Sequence, residues 1–238
     1  MIGISVIMPS YLGEYPGSRK NPESKFIRAV ESFILSELQN KELIIVSDGC
    51  GTTNKIYNER FKDYDFITLI QVEKRSETWP GELRECGRSL AKYDWITYLD
   101  TDDIYLNNHL TLVMSAILDR DKETTVLIND KYVFPLPDNP NKIMLGYVGM
   151  DIDEYNSFRI TRAEIYGERV VTTRAMGHYG TWQIVHHKDV PHRWKNTDTM
   201  GEDTFFIENL KSTEKWQTFT GTYLICHNTK DRKVIWEM

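Results

Sequence analysis

The sequence predicts an α/β fold in which helices flank a mixed, mostly parallel central sheet. Over the first hundred residues, short apolar strand candidates alternate with helical stretches across short connections, which is typical of a parallel sheet. After about residue 124, strand-like runs are separated by Pro, Gly and Asn, which favours antiparallel strands. Because no Ser/Gly-rich linker divides the chain, we expect residues 1–238 to form a single domain with two halves, 1–104 and 105–238.

The first half supplies the strands of the parallel sheet and most of its helices. Four segments are short, rich in Ile, Val and aromatic residues, and bounded by polar residues, as buried strands are. They are Ile4–Met8, Glu42–Val46, Phe66–Val72 and Trp95–Leu99. Asn21 as N-cap and Pro22 at the first helical position begin a helix whose apolar residues recur at helical spacing. Further helices are predicted at Thr53–Tyr64, Glu82–Lys92 and Asn107–Asp119.

The second half predicts shorter and more irregular elements. A segment with three prolines, Phe134–Pro140, is expected to be a loop or an edge. Asp203–Leu210 is predicted to be a helix. Strands are predicted at Val126–Ile128, Lys142–Tyr147, Arg159–Tyr166, Thr181–His187 and Trp216–Cys226.

Composition and charge exclude several classes of protein. The 238 residues are 40% hydrophobic and 27% charged, which excludes collagen-like and wholly disordered chains. A net charge of -6 argues against a nucleic-acid coat or groove binder. No apolar run reaches the roughly 18 residues of a membrane span. Three distant cysteines without CxxC spacing, Cys50, Cys86 and Cys226, predict reduced thiols and a cytoplasmic location.

An acidic turn follows the fourth predicted strand. Asp100, Asp102 and Asp103 leave the carboxyl end of that strand, where open α/β sheets bind their ligands. Like charges this close repel one another unless a cation or hydrogen-bond donors compensate. Mg²⁺ and Mn²⁺ take one or two carboxylates together with phosphate oxygens and water, so the cluster predicts a metal–diphosphate site. The alternative is an acidic turn that caps the following helix.

Six short motifs follow one another along the chain. They are Ile4–Tyr11, Ala29–Phe33, Glu42–Cys50, Leu83–Ile96, Asp100–Asp103 and Gly201–Asp203. In this order they resemble the opening strand and turn, the first helix, the second strand, the central helix and strand, the D-x-D-D signature and the E-D pair of family 2 glycosyltransferases. The resemblance implies a GT-A fold, with a nucleotide-binding first half and a second half that binds the acceptor and supplies a base.

The resemblance also implies an activity. It is the metal-dependent, inverting transfer of a sugar from a nucleotide-sugar donor, most simply a UDP-sugar, to an acceptor hydroxyl. The acceptor class stays open among a glycan, a lipid-linked saccharide, a protein and a modified nucleobase. Two alternatives remain at this point: a sugar nucleotidyltransferase, and a catalytically inactive module that binds a nucleotide-sugar.

Each site residue is carried over from a matching motif position or a neighbouring basic residue. Asp48 corresponds to the family aspartate that binds the nucleotide base, although Asp-Gly also forms Asx turns. Arg84 is a candidate for the base or diphosphate, and its alternative is a solvated helix surface. The full set expected to bind the nucleotide-sugar is Pro9, Ser10, Tyr11, Asp48, Lys74, Arg75, Arg84, Asp100, Thr101 and Asp102.

The remaining assignments concern the cation and the chemistry. Asp102, Asp103 and His227 are expected to bind Mn²⁺ or Mg²⁺, although a buried structural role suits His227 almost as well. Asp203 is the candidate general base and Glu202 its substitute, since an inverting transfer requires a carboxylate on the acceptor side. An acid at the start of a helix also stabilises that helix, which is the alternative for Asp203.

Some residues depart from the family pattern, and others have a second interpretation. Ser47, Glu85 and Asn209 replace an Asp, an Asn and an Arg of the family motifs. Trp79 and Trp182 are candidates to stack on a sugar, with core packing as the commoner fate of Trp. The histidines His186, His187 and His192 lack metal-site spacing and are expected to be structural.

Overall fold

The computed structural model describes residues 2–14, 21–73, 80–129, 131–136, 139–147, 162–165, 168–172, 180–195 and 201–224. Its α-helices are α1 (Pro22–Leu35), α2 (Gly51–Arg60), α3 (Gly81–Ser89), α4 (His109–Asp119) and α5 (Glu202–Thr213), and a short 3-10 helix covers Thr181–Gln183. The strands of the first half are β1 (Ile4–Ser10), β2 (Lys41–Asp48), β3 (Ile67–Val72), β4 (Trp95–Tyr98) and β5 (Ile104–Tyr105). Those of the second half are β6 (Val126–Asn129), β7 (Lys131–Leu136), β8 (Asn139–Tyr147), β9 (Arg162–Ile165), β10 (Glu168–Thr172), β11 (Ile184–His187), β12 (Trp216–Phe219) and β13 (Tyr223–Leu224).

Within these residues, a seven-stranded sheet has the order β12-β6-β11-β4-β1-β2-β3. The neighbouring strands β4, β1, β2 and β3 run parallel, as the alternation of strand and helix predicted. The strand β11 is antiparallel to both β4 and β6, and it joins the second half of the chain to the same sheet. The predicted mixed, mostly parallel sheet with flanking helices is therefore confirmed.

A second sheet of the described residues has the order β5-β13-β7-β8-β10-β9. The proline-rich segment predicted as a loop or an edge contributes instead the end of β7 and the start of β8, with a register shift between Pro135 and Leu136. Residues 137–138 lie outside the described part of the chain. A register irregularity accommodates Pro because this residue has no N–H to donate to the ladder.

The predicted strand Trp216–Cys226 is wrong as one element. It forms β12 in the first sheet and β13 in the second, and residues 225–226 lie outside the described part. Between them, the backbone N–H of Gly221 donates to Oδ1 of Asn129 at 2.8 Å, and that of Thr222 donates to Nδ1 of His109 at 3.0 Å. The buried side chains of Asn129 and His109 accept these backbone hydrogen bonds where the chain passes from one sheet to the other.

The helix α1 begins where the sequence predicted. Asn21 is its N-cap in the left-handed conformation, with φ of 54°, and Pro22 follows. At the other end, Nζ of the buried Lys41 donates to the backbone carbonyls of Phe33 and Ile34. A cation at a helix C-terminus hydrogen-bonds to the last carbonyls of the helix and interacts favourably with the helix dipole.

The helix α3 packs unusually close to the sheet because of one glycine. A Cβ atom at Gly87 would lie 2.5 Å from Cγ2 of Ile7 in β1 and 3.2 Å from Cγ2 of Val46 in β2. Only glycine allows this approach, which gives a physical reason for the Gly in the fourth motif. The close contact fixes the position of the rest of α3, including Arg84.

Apolar residues from both sides of the sheet form the core. The largest fully buried side chains include Tyr98, Tyr105, Tyr223, Phe26 and Phe206, so aromatic rings from both halves contribute. Among the described helices, none combines the length and the apolar character that crossing a bilayer demands.

Candidate active site

The carboxyl ends of β4, β1 and β2 meet at one edge of the main sheet. The register pairs Tyr98 with Ile7 and Ile7 with Ile44, so the three strands lie side by side. Ligands of open α/β sheets bind beyond such an edge. The topology therefore brings to this edge the predicted site residues Pro9, Ser10, Tyr11, Asp48, Asp100, Thr101, Asp102 and Asp103.

The turn after β2 is built from short polar contacts. Gly49 has a positive φ of 62°, which lets the chain turn directly from the buried Asp48 into α2. Oγ of Ser47 accepts a hydrogen bond from the backbone N–H of Cys50 at 3.3 Å. Oγ of Ser10 lies 2.9 Å from Oγ1 of Thr53. Ser47, which departs from the family pattern, thus stabilises the turn that presents Asp48.

A buried arginine joins the two acidic segments of the site. Nη1 of Arg84 donates to Oε1 of Glu202 at 2.8 Å, and Nη2 donates to Oδ1 of Asp100 at 3.3 Å. The Arg84 side chain is 5% exposed, so its alternative interpretation as a solvated surface residue is wrong. Burial opposes its charge, but the carboxylates of Asp100 and Glu202 prevail and raise the pKa of Arg84.

An indole ring supports this guanidinium. The Arg84 guanidinium lies 4.9 Å from the ring centre of Trp194, at cation–π distance. The Trp194 backbone N–H donates to Oε2 of Glu85 at 3.2 Å, and Nη1 of Arg193 donates to Oε1 of Glu85 at 3.2 Å. Glu85, a second departure from the family pattern, therefore holds the segment that places Trp194 against Arg84.

The candidate base lies in the first turn of α5. Gly201 precedes the helix with φ of 127°, a conformation that favours glycine. Oδ1 of Asp203 accepts the Thr204 N–H at 2.7 Å. Burial nevertheless raises the pKa of Asp203 to about 6, and the neighbouring charge of Glu202 adds to this effect. Glu202 itself is buried and paired with Arg84, which distinguishes it from Asp203.

The acidic turn is tied to the second half of the chain. Oγ1 of Thr181 donates to Oδ2 of Asp100 at 2.9 Å. The phenol of Tyr223 accepts from the Asp100 N–H at 3.2 Å and donates to Oδ2 of Asp103 at 3.1 Å. Burial first, and then these two carboxylates, raise the pKa of Tyr223 well above its usual value, so its hydroxyl stays a donor. On the other side, Nη2 of Arg28 donates to the Asp102 carbonyl at 2.9 Å.

Four residues of this network carry no signal in the sequence. Arg28, Thr181, Trp194 and Tyr223 reach the acidic turn or Arg84 from positions that are distant along the chain. None lies in a motif that indicates chemistry, and an isolated Tyr, Thr or Trp is most often a core or surface residue. The pairing of β13 with β5 places Tyr223, and that of β11 with β4 places the neighbouring Thr181 and Trp194. Arg28 reaches Asp102 from α1.

Several predicted residues have a structural role or lie outside the described residues. Trp182 is buried in the main core, and Nδ2 of Asn209 donates to the Phe205 carbonyl within α5. His186 is fully buried, and its Nε2 lies 2.8 Å from the Tyr98 hydroxyl. Burial lowers the pKa of His186 to about 3, as suits a structural histidine. Lys74, Arg75, Trp79 and His227 lie outside the described residues.

The fold, with the candidate residues at the carboxyl ends of β4, β1 and β2, is that of the GT-A class. A family model identifies the family. The model described as Glycosyl transferase family 2 matches residues 5–228. The chain therefore belongs to glycosyl transferase family 2. The resemblance drawn from the six motifs is confirmed.

Related proteins from bacteria match about half of the chain. Glycosyltransferase GlyG of Streptococcus pneumoniae is 24% identical over 123 residues, which are 52% of this chain and 38% of that protein. An uncharacterized glycosyltransferase of Haemophilus influenzae is 30% identical over 117 residues, which are 48% of this chain and 34% of that protein. The matched region thus spans less than half the length of these relatives.

Solved structures of similar fold cover nearly the whole chain. S. aureus TarS 1-349 in complex with UDP-GlcNAc matches with a TM-score of 0.55 and 15% identity, over 94% of this chain and 56% of that one. The mannosyltransferase PcManGT from Pyrobaculum calidifontis, in complex with GDP-Man and Mn²⁺, matches with a TM-score of 0.62 and 12% identity, over 97% and 58%. These likenesses support the GT-A fold.

Proposed function

We propose that this chain transfers a sugar from a nucleotide-sugar donor to an acceptor hydroxyl, with inversion at the anomeric carbon and with a divalent cation. A UDP-sugar is the proposed donor. Residues 1–104 would bind most of the donor, and residues 105–238 would supply the base and bind the acceptor. The observation that carries the proposal is the contact of Arg84 with both Glu202 and Asp100, which we call the Arg84 bridge. The bridge holds the start of α5 against the acidic turn.

The bridge supports the proposal that two chemical functions share one site. The acidic turn after β4 suits the cation and diphosphate, whereas Asp203 follows directly on the bridged Glu202. In an inverting transfer, these functions act on opposite sides of the anomeric carbon. The two segments are distant along the chain, and the bridge is a direct contact that holds them together.

Asp203 is the proposed general base. With a pKa of about 6 it is mostly ionised at neutral pH, yet it is more basic than an ordinary aspartate. Its carboxylate would accept the proton of the acceptor hydroxyl as the oxygen forms its bond to the anomeric carbon. The bond between that carbon and the diphosphate oxygen breaks, and its electron pair leaves on the nucleoside diphosphate.

The residues present fit a divalent cation. Asp102 and Asp103 offer the hard carboxylate oxygens that Mg²⁺ and Mn²⁺ prefer. Within the part of the chain that the structure describes, no cluster of three or more His, Cys, Asp or Glu side chains is arranged to hold an ion alone. The proposed cation would take one or two carboxylates and complete its shell from the diphosphate and water. When bound, it would offset the charge that develops on the leaving group.

The nucleotide would bind at the neighbouring strand ends. Asp48, Ser10 and Tyr11 share the sheet edge with the acidic turn, which suits a base and ribose beside a diphosphate. Asp48 would accept a hydrogen bond from the base. Similar folds bind UDP-GlcNAc in TarS and GDP-Man in PcManGT, so both uridine and guanosine donors belong in the test.

The first experiment measures the melting temperature with UDP, GDP, CMP and TDP, each with and without Mn²⁺. A ligand that binds the folded state raises the melting temperature, so one nucleotide should do so in a metal-dependent way. The shift should disappear in Asp102→Asn with Asp103→Asn and persist in Asp203→Asn. Transfer from the matching sugar nucleotides is then measured.

Other results would contradict the proposal. Release of pyrophosphate from a sugar phosphate and a nucleoside triphosphate would instead indicate a sugar nucleotidyltransferase. Metal-dependent binding without turnover of any sugar nucleotide would indicate an inactive binding module. Absence of any shift would remove the nucleotide site from the edge of the sheet.

A further inference from the structure

Tyr223, which is distant from the acidic turn along the chain, hydrogen-bonds to both ends of that turn. Its phenolic oxygen accepts a hydrogen bond from the backbone N–H of Asp100 at 3.2 Å and donates one to Oδ2 of Asp103 at 3.1 Å. Tyr223 is fully buried and Asp103 is 3% exposed, so water competes little for the hydrogen bond between them. One hydroxyl therefore links the first and last carboxylate residues of the turn.

The ring that carries this hydroxyl is held on several sides. Tyr223 pairs with Tyr105 between β13 and β5, and their rings meet edge to face at 5.5 Å. The ring of His109 in α4 lies 5.8 Å away in a similar orientation, and Trp182 lies at 6.3 Å. This packing leaves the phenol little freedom, so its oxygen is a fixed point for the turn.

We propose that Tyr223 is a positioning residue that orients the Asp103 carboxylate for a divalent cation. The inference rests on the proposed function, because it assumes that the acidic turn binds the cation. A carboxylate has about four lone-pair sites, so a hydrogen bond accepted from the Tyr223 phenol is compatible with binding of a cation. Loss of a hydrogen-bond partner behind a metal ligand typically weakens metal affinity by about 10- to 100-fold.

The test compares two tyrosines of the same aromatic cluster. Tyr223→Phe removes the hydroxyl that contacts Asp103 and keeps the ring. Tyr105→Phe is the matched control, since Tyr105 is equally buried but its hydroxyl donates to the Tyr98 backbone carbonyl at 2.7 Å rather than to a carboxylate. Binding of MnCl₂ is measured by calorimetry and by electron paramagnetic resonance, alone and with UDP, and the melting temperature is recorded for each variant.

The inference predicts that Tyr223→Phe raises the Kd for Mn²⁺ by about 10-fold or more, whereas Tyr105→Phe leaves it close to that of the wild type. Adding Asp103→Asn to Tyr223→Phe should weaken Mn²⁺ binding less than the same change does in the wild type, because both act on one carboxylate. An unchanged Kd in Tyr223→Phe, or an equal loss in both tyrosine variants, would overturn the inference.

The same data separate this inference from the proposal on which it rests. If the wild type binds Mn²⁺ with UDP and Tyr223→Phe does so equally well, only the role of Tyr223 fails. If the wild type binds no Mn²⁺ in either condition, the metal dependence of the proposed function fails as well.

Discussion

Arg84 and Glu202 form a buried ion pair, with Nη1 of the guanidinium 2.8 Å from Oε1 of the carboxylate. They come from α3 and from the first turn of α5, two helices that the sequence places far apart. The guanidinium also binds Asp100, so the pair connects the acidic turn with the helix that carries Asp203. The stability of the fold and the geometry of the site therefore depend on the same contact.

Replacing Arg84 by Met should destabilise the protein strongly. The change leaves Glu202 buried without its partner, and breaking a buried ion pair in this way typically costs about 3–5 kcal/mol. Urea unfolding measures the effect. Arg60→Met is the matched control, because Arg60 forms an ion pair with Glu31 in which both side chains are 48% exposed; a loss of about 0–1 kcal/mol is expected there. Equal losses in both variants would contradict the burial argument.

Replacing Asp203 by Asn should abolish most of the transfer activity while donor binding persists. Removal of a general base typically lowers the rate by about 10²- to 10⁴-fold. In the wild type, kcat/KM should fall as the pH falls through about 6, because Asp203, the proposed base, becomes protonated. Glu208→Gln, at an exposed position of the same helix, should keep the wild-type profile. If the residual activity of Asp203→Asn still fell as the pH was lowered through about 6, the fall would belong to another group.

The same aspartate predicts how stability changes with pH in the absence of ligand. Its pKa is raised from 3.8 to about 6 on folding, so between these values the folded state binds more protons than the unfolded state. The contribution to stability is complete below 3.8 and is lost as the pH rises through about 6. Denaturant melts across this range should show a smaller decline in Asp203→Asn than in the wild type. A decline of equal slope in both proteins would refute the assignment.

Replacing Gly87 by Ala should destabilise the protein although Ala favours helices. The new Cβ would lie 2.5 Å from Cγ2 of Ile7, which forces α3 away from the sheet. Overpacking of this kind typically costs about 1–3 kcal/mol. Gly51→Ala, at the first position of α2, introduces a Cβ with no atom within 4 Å and should be neutral or stabilising. Comparable melting temperatures of the two variants would show that α3 moves freely.

Replacing Lys41 by Met should weaken the end of α1. The change removes a charged donor to the carbonyls of Ile34 and Ser36, and a hydrogen bond to a charged group typically contributes about 1.5–3 kcal/mol. Hydrogen exchange should show increased opening at the last turn of α1. Lys55→Met, at an exposed position of α2, should leave both the exchange and the melting temperature nearly unchanged. Unaltered exchange in Lys41→Met would contradict the role given to Lys41.

The alternation of apolar strands and helices, with short connections, determined the parallel half of the fold. The strands β1 to β4 lie where local pattern placed them, within a few residues. The motifs at their ends also determined the family, because each motif is a contiguous piece of chain. Asp100, Asp102 and Asp103 could be recognised for the same reason: their proximity is local, and it follows from covalent connection alone.

The tertiary structure decided everything that depends on contacts between distant segments. Local pattern joined Trp216 and Tyr223 in one strand, but buried partners at Asn129 and His109 divide it between two sheets. Whether Arg84 is solvated or buried in an ion pair likewise depended on Glu202, which reaches it only after folding. Burial and ion pairing are properties of the packed chain, and these properties set the pKa of Asp203 and give Tyr223 its place behind Asp103.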